Sequence, residues 1–193
     1  GMMLDQGTTT ADKFAIAQQL ESVGAEISFS VSAQTLDIQA KCLRKDAPAI
    51  IHLIIEQLRA PAFSADEFEK VRKQLTGAIK RSLESTGLRA GDAFTRAVFP
   101  PGHPNRQASA EELLAAIDRA TVADIKAFHA RFYGPTHLTL VIVGDLDLKP
   151  IQTQLHEDLA GWQGGVPVLG AARASAPEAA LTQSINMADK TSV

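Results

Sequence analysis

One cysteine, one tryptophan and one tyrosine in 193 residues leave little room for several kinds of chemistry. A single thiol, Cys42, excludes an internal disulfide and any zinc cage built from cysteines, and it reads as a small apolar packing residue. Basic excess is missing as well: 19 Lys and Arg stand against 22 Asp and Glu, for a net charge of −3. A nucleic-acid binder would show a cationic patch or a high pI, so that class of partner is set aside. No block of like charge occurs. The strongly apolar runs, such as Leu138–Val143, are short against the ~20 residues of a membrane span, and no membrane insertion is expected. No signal peptide opens the sequence, and Gly1 before Met2 reads as an expression scar, so the natural start lies elsewhere.

What is present is an ordinary globular composition, 45% hydrophobic and 21% charged, with enough length for one domain and a substantial core. Helix starts are legible. Ser64-Ala-Asp-Glu67 and Ser109-Ala-Glu-Glu112 are capping boxes, and Thr9-Thr-Ala-Asp12 and Thr121-Val-Ala-Asp124 are versions with Asp in the fourth place. The first helix is predicted from about Thr10 to Val23, stopped by Gly24. Alternation follows: Ile27, Phe29 and Val31 face one way and Ser28 and Ser30 the other, then Leu36, Ile38, Ala40 and Cys42 resume the pattern. This predicts a hairpin with one buried face.

Further helices are predicted at about 46–59, 64–85, 88–98, 109–118, 121–132 and 148–161, with a fully buried strand at Leu138–Val143. Residues 163–193 open with a Gly/Ala/Pro-rich stretch that cannot build a core and end in "TQSINMADK", which reads as a strand without a partner. The expectation is an α+β domain over 1–162, a mostly antiparallel sheet covered on one face by helices, followed by a linker and the start of a further segment cut from a longer chain.

Chemistry is sparse. None of the five histidines, His52, His103, His129, His137 and His156, stands in H-x-x-E-H or H-E-x-x-H. His156-Glu157 begins such a motif, but Ala160 occupies the place of the second His. His52 and Glu56 share a helix face, yet two ligands without a third make a poor zinc site, and a solvated pair is the plainer reading. Asp145 and Asp147 follow the apolar strand; "GDLD" also reads as a strand-to-helix turn with Asp147 as the N-cap.

Ordered phrases carry a resemblance. "MLDQGTTTADKFAIAQQLESVGAEISFSV", "APAFSADEFEKVRKQLTGAIKRSLE" and "FPPGHPNRQASAEELLAAIDRATVADIKAFHARFYGPTHLTLVIVGDLD" run in the order seen in the insulinase/pitrilysin family of zinc peptidases, peptidase family M16. The Gly7-Thr8 pair, Gly24-Ala25, the Pro104 loop and the Tyr133-x-Pro135…Val143-Gly144-Asp145 ending resemble that family over residues 3 to about 162. In its active members, H-x-x-E-H on a helix just before the Gly-Thr pair supplies two zinc ligands and the general base. A later Glu is the third ligand.

Here Gly1-Met2-Met3 stands where the motif would finish. The resemblance places the third ligand just before the residue matching Ile79, and that position is Ala78. Ser28 stands where an Asn is usual on the strand. The resemblance therefore implies a non-catalytic domain that helps form a peptide-binding chamber or assembles with a catalytic M16 half, with zinc only in that partner. A periplasmic location is implied by the same resemblance. Ser28, Phe29, Ser30 and Val31 are the peptide-binding candidates, by strand addition; the plain alternative is a covered edge.

Two other readings stay open. One is an active zinc peptidase whose motif lies outside these residues and whose third ligand is Glu69 or Glu84. The other is a purely structural subunit. On the peptide-chamber reading Ser28→Pro would block strand addition, and Ala78→Glu would bury a charge if Ala78 packs against the sheet.

Overall fold

The computed structural model describes residues 1–32, 34–166, 180 and 182–187. Seven helices and one antiparallel pair of strands follow in the order α1 (Lys13–Val23), β1 (Glu26–Val31), β2 (Leu36–Lys41), α2 (Ala47–Arg59), α3 (Ala65–Ser82), α4 (Thr86–Val98), α5 (Ala110–Arg119), α6 (Val122–Phe132) and α7 (Leu148–Leu159). The class is α+β, as the alternation and the helix signals predict. The chain divides into two compact units, one of residues 1–69 with 121–168 and one of residues 70–120 with 169–193.

Local chemistry accounts for most boundaries. Ser109 and Thr121 form full capping boxes with Glu112 and Asp124. Gly24 ends α1 at φ 62°, the left-handed conformation that glycine adopts without strain. Asp147 accepts from the Lys149 N–H at 3.2 Å, so "GDLD" is a helix-capping turn. The start of α1 is a correction. The expected Thr9–Asp12 box does not form; Asp12 itself is the N-cap, accepting from the amides of Phe14 at 2.9 Å and Ala15 at 2.8 Å. The reason lies in the preceding turn, where Thr8 and Thr10 direct their hydroxyls to Glu56.

The core of the first unit is centred on α2. Ile50, Ile51, Leu53, Ile55 and Leu58 are buried, joined by Met3, Leu4, Ile16, Phe63 and Ile151 from other segments. Pro48, Ala49, His52 and Arg59 leave an exposed stripe on this helix, and its apolar face turns inward. The tie to α7 is partly polar: His52 Nδ1 meets Asp158 Oδ1 at 2.8 Å, and Arg59 donates to the Asp158 carbonyl at 2.8 Å.

Leu138–Val143 is the second correction. It belongs to no strand pair among the described residues, and Leu140, Val141 and Val143 are 43%, 78% and 92% exposed. Apolar composition states what a segment would gain from being covered; it does not supply the covering strand. Thr182–Met187 likewise carries no strand assignment, and residues 188–190 lie outside the described set.

The caps give a pH prediction. The Ser109 amide holds the Glu112 carboxyl below its usual 4.5, and the Thr121 hydroxyl holds Asp124 below its usual 3.8. A depressed carboxyl stabilises the fold above its ordinary value, and that contribution is lost as pH falls through the lower, folded value. Unfolding by urea is expected to become easier as pH drops below ~4, and Asp124→Asn should flatten part of that slope. An unchanged slope in the variant would contradict the role given to the Asp124 cap.

Candidate functional site

The hairpin pairs Glu26 with Lys41, Ser28 with Gln39, Phe29 with Ile38 and Val31 with Leu36. Ile27, Phe29, Leu36 and Ile38 share one half-buried face, as the alternation predicts. Val31 departs from the expectation of burial: at the end of the strand it is 58% exposed.

Backbone direction follows from the turn. The Ser32 N–H donates to the Thr35 carbonyl at 2.9 Å, so Ser32 and Thr35 form a hydrogen-bonded pair. In an antiparallel ladder such pairs alternate with non-hydrogen-bonded ones. Stepping back along the register, Ser30, Ser28 and Glu26 direct their N–H and C=O groups to β2, while Val31, Phe29 and Ile27 direct theirs to the other side. That side has no paired strand among the described residues. The four candidates thus divide. Phe29 and Val31 present backbone to the open edge, whereas Ser28 and Ser30 use theirs to hold the hairpin. Ser28→Pro would break the Ser28–Gln39 pair, so the donor to remove lies at 29 or 31.

Other residues singled out by sequence do not converge. Ala78 is exposed on α3, between Gly77 and Ile79, so a Glu placed there would stand in solvent and bury no charge. Glu69 and Glu84 are also exposed. His52 turns to Asp158 and Glu56 to the Thr8 and Thr10 hydroxyls, so the two do not face one ion. His103 stacks on Phe99 at 4.6 Å, and His129 contacts the Leu58 carbonyl through Nε2 at 2.7 Å. Asp145 pairs with Arg44 at 2.7 Å. Among the described residues no three of His, Cys, Asp and Glu gather into a possible metal site. The described residues do not fit a bound zinc.

The Gly7-Thr8 pair acquires a physical meaning that the sequence did not disclose. Gly7 adopts φ 114°, and a Cβ there would approach the Ala11 carbonyl oxygen at 3.1 Å. Thr8 is buried, donates to Glu56 at 2.8 Å and bridges to Pro61. The pair fastens the first residues to the end of α2.

A prediction follows for Ala78. Ala78→Glu is expected to shift stability by no more than ~0.5 kcal/mol, the range of exposed helix substitutions. It should bring no bound zinc, because one carboxylate is one ligand and no general base. Elemental analysis finding stoichiometric zinc in the variant would overturn this.

Comparison with known proteins matches residues 2–99 to the family described as insulinase (peptidase family M16) and residues 119–190 to the peptidase M16 inactive domain. An uncharacterized zinc protease of Streptomyces coelicolor is 23% identical over 156 residues, covering 79% of this chain and 33% of its own length. The chain therefore spans about a third of the curated relatives it matches. A crystal structure of a peptidase M16 inactive domain from Pseudomonas fluorescens superposes with a TM-score of 0.76 at 22% identity, covering 90% of this chain and 42% of that one. The first half of the periplasmic protease PqqL from Escherichia coli gives 0.69 at 18% identity, covering 86% of this chain and 37% of that one.

Proposed function

The chain belongs to the insulinase family, peptidase family M16, and from that premise we propose that it is a non-catalytic domain offering the open edge of β1 to an extended peptide. It would act beside a catalytic M16 half that carries the zinc. The observation behind this reading is the one-sided pairing of β1. Ile27, Phe29 and Val31 hold a row of outward N–H and C=O groups with which another extended backbone can pair. Selectivity would be loose, since backbone pairing requires no particular side chain. Its second support is chemical: no ligand set for zinc gathers among the described residues, and Ala78 stands where the family resemblance expects a carboxylate.

The test uses the chain with a fluorescein-labelled, unstructured peptide. Expected are a rise in anisotropy on mixing and no hydrolysis of the peptide. Chelator-sensitive cleavage by the purified chain would refute the non-catalytic part, and no binding at any accessible concentration would refute the edge.

The relatives' description as zinc proteases favours a second reading, a catalytic zinc peptidase whose ligands come from polypeptide outside residues 1–193. Zinc content and peptidase activity of the longer protein separate the two readings. A periplasmic location belongs to the same proposal. Its support is the family resemblance, and cell fractionation tests it.

A further inference from the structure

Two backbone segments of the first unit cross with no room for a side chain between them. Gly134 follows α6 at φ 176°, an extended conformation open to any residue, so its requirement for glycine is one of space. A Cβ on Gly134 would fall 2.1 Å from the Gly164 carbonyl carbon, 2.2 Å from its oxygen and 2.6 Å from the Gly165 nitrogen. All three are backbone atoms, which cannot rotate aside. From the other strand of the crossing, a Cβ on Gly164 would lie 2.8 Å from the Tyr133 carbonyl oxygen. Gly164 and Gly165 add a conformational requirement, at φ 124° and 86°. Two hydrogen bonds close the crossing: the Thr136 hydroxyl donates to the Gly164 carbonyl at 2.8 Å, and the Val166 N–H to the Arg131 carbonyl at 3.2 Å.

We propose that Gly134 with Gly164–Gly165 is a glycine clasp, a conformational device that ties residues 162–166 to the end of α6. The polypeptide beyond residue 166 then starts from a fixed point on this domain. The clasp is a backbone crossing closed by the Thr136 hydroxyl and the Val166 N–H, and it opens as a unit when the crossing is displaced. Its grip depends on glycine at position 134 and, thirty residues further on, at 164 and 165.

Trp162, the sole tryptophan, lies two residues before the crossing and is half-buried, so it reports the clasp without a label. Gly134→Ala is expected to increase acrylamide quenching of Trp162 and to speed amide exchange at Val166 by at least ~10-fold, while amides of α2 keep their protection. Thr136→Val removes one closing bond without adding bulk, and it should change both readouts in the same direction by less.

Wild-type quenching and Val166 exchange in Gly134→Ala would overturn the clasp. So would a loss of protection spread equally over α2, which would make the crossing general packing. If Gly134→Ala does not fold, Thr136→Val carries the test alone, and an unchanged Val166 amide in that variant refutes the proposal.

Discussion

A Val31→Pro chain is expected to keep its hairpin and lose most of its affinity for an extended peptide. Proline removes one N–H and fixes φ, and in a sheet it is tolerated only where that N–H faces away from the ladder. The register places Val31 in such a position: its partner across β2 is Leu36, in a non-hydrogen-bonded pair next to the Ser32–Thr35 bond. One lost backbone hydrogen bond is worth about 0.5–1.5 kcal/mol, or up to ~10-fold in affinity, and the ring adds a steric block to close approach.

Ser30→Pro makes the informative contrast. Ser30 pairs with Asp37 through the ladder, so this variant should unfold more easily and lose binding only as a consequence. Val31→Pro binding the labelled peptide as tightly as wild type would remove peptide addition on β1 from the proposal. The domain would then retain only a role in assembly.

Truncating Leu53 to Ala is expected to cost about 2–5 kcal/mol, a large part of the ~5–15 kcal/mol that holds a typical domain together. Leu53 is 3% exposed on α2, the helix around which the first unit's core is built. One turn further on, the same helix should give the opposite sign. Gln57 is 2% exposed, and its Oε1 has no hydrogen-bond partner among the described residues. A buried polar atom without a partner costs about 1–3 kcal/mol, so Gln57→Leu, close in volume, is expected to stabilise by ~1 kcal/mol. Urea midpoints at constant m-value read both. A Leu53→Ala midpoint equal to wild type would contradict the placement of the core. A Gln57→Leu chain less stable than wild type would show that the Gln57 amide is satisfied.

Most of the element order was readable before any coordinates. The capping boxes at Ser109 and Thr121, the stop at Gly24 and the Asp147 cap each involve residues at most five apart. Such short-range chemistry operates wherever the chain goes. The hairpin was readable for a related reason: a two-residue period over Ile27–Val31 and Leu36–Ala40 specifies one buried face. The family, too, was legible, because ordered phrases of sequence are themselves the resemblance.

What the sequence could not determine depends on partners distant along the chain. Thr8 and Thr10 lie 48 and 46 residues from Glu56, and their attachment to it left the Thr9–Asp12 box unformed and the cap to Asp12. His52 and Glu56 share a helix face in sequence, yet Asp158, 106 residues from His52, draws the imidazole away. Half-burial of Phe29 and exposure of Val31 follow the same alternation but differ by position at the strand end. Which candidates offer backbone to the open edge depends on the parity of the register, set by the Ser32–Thr35 bond. Leu138–Val143 has the composition of a buried strand and the exposure of an edge, and the crossing of Gly134 with Gly164 is invisible in either glycine's neighbours. Composition and periodicity state what each segment would gain by being covered or paired. Only the tertiary structure decides which atoms are close enough to do it, since contact energies vanish within a few ångströms and the chain alone does not say which distant residues will lie that near.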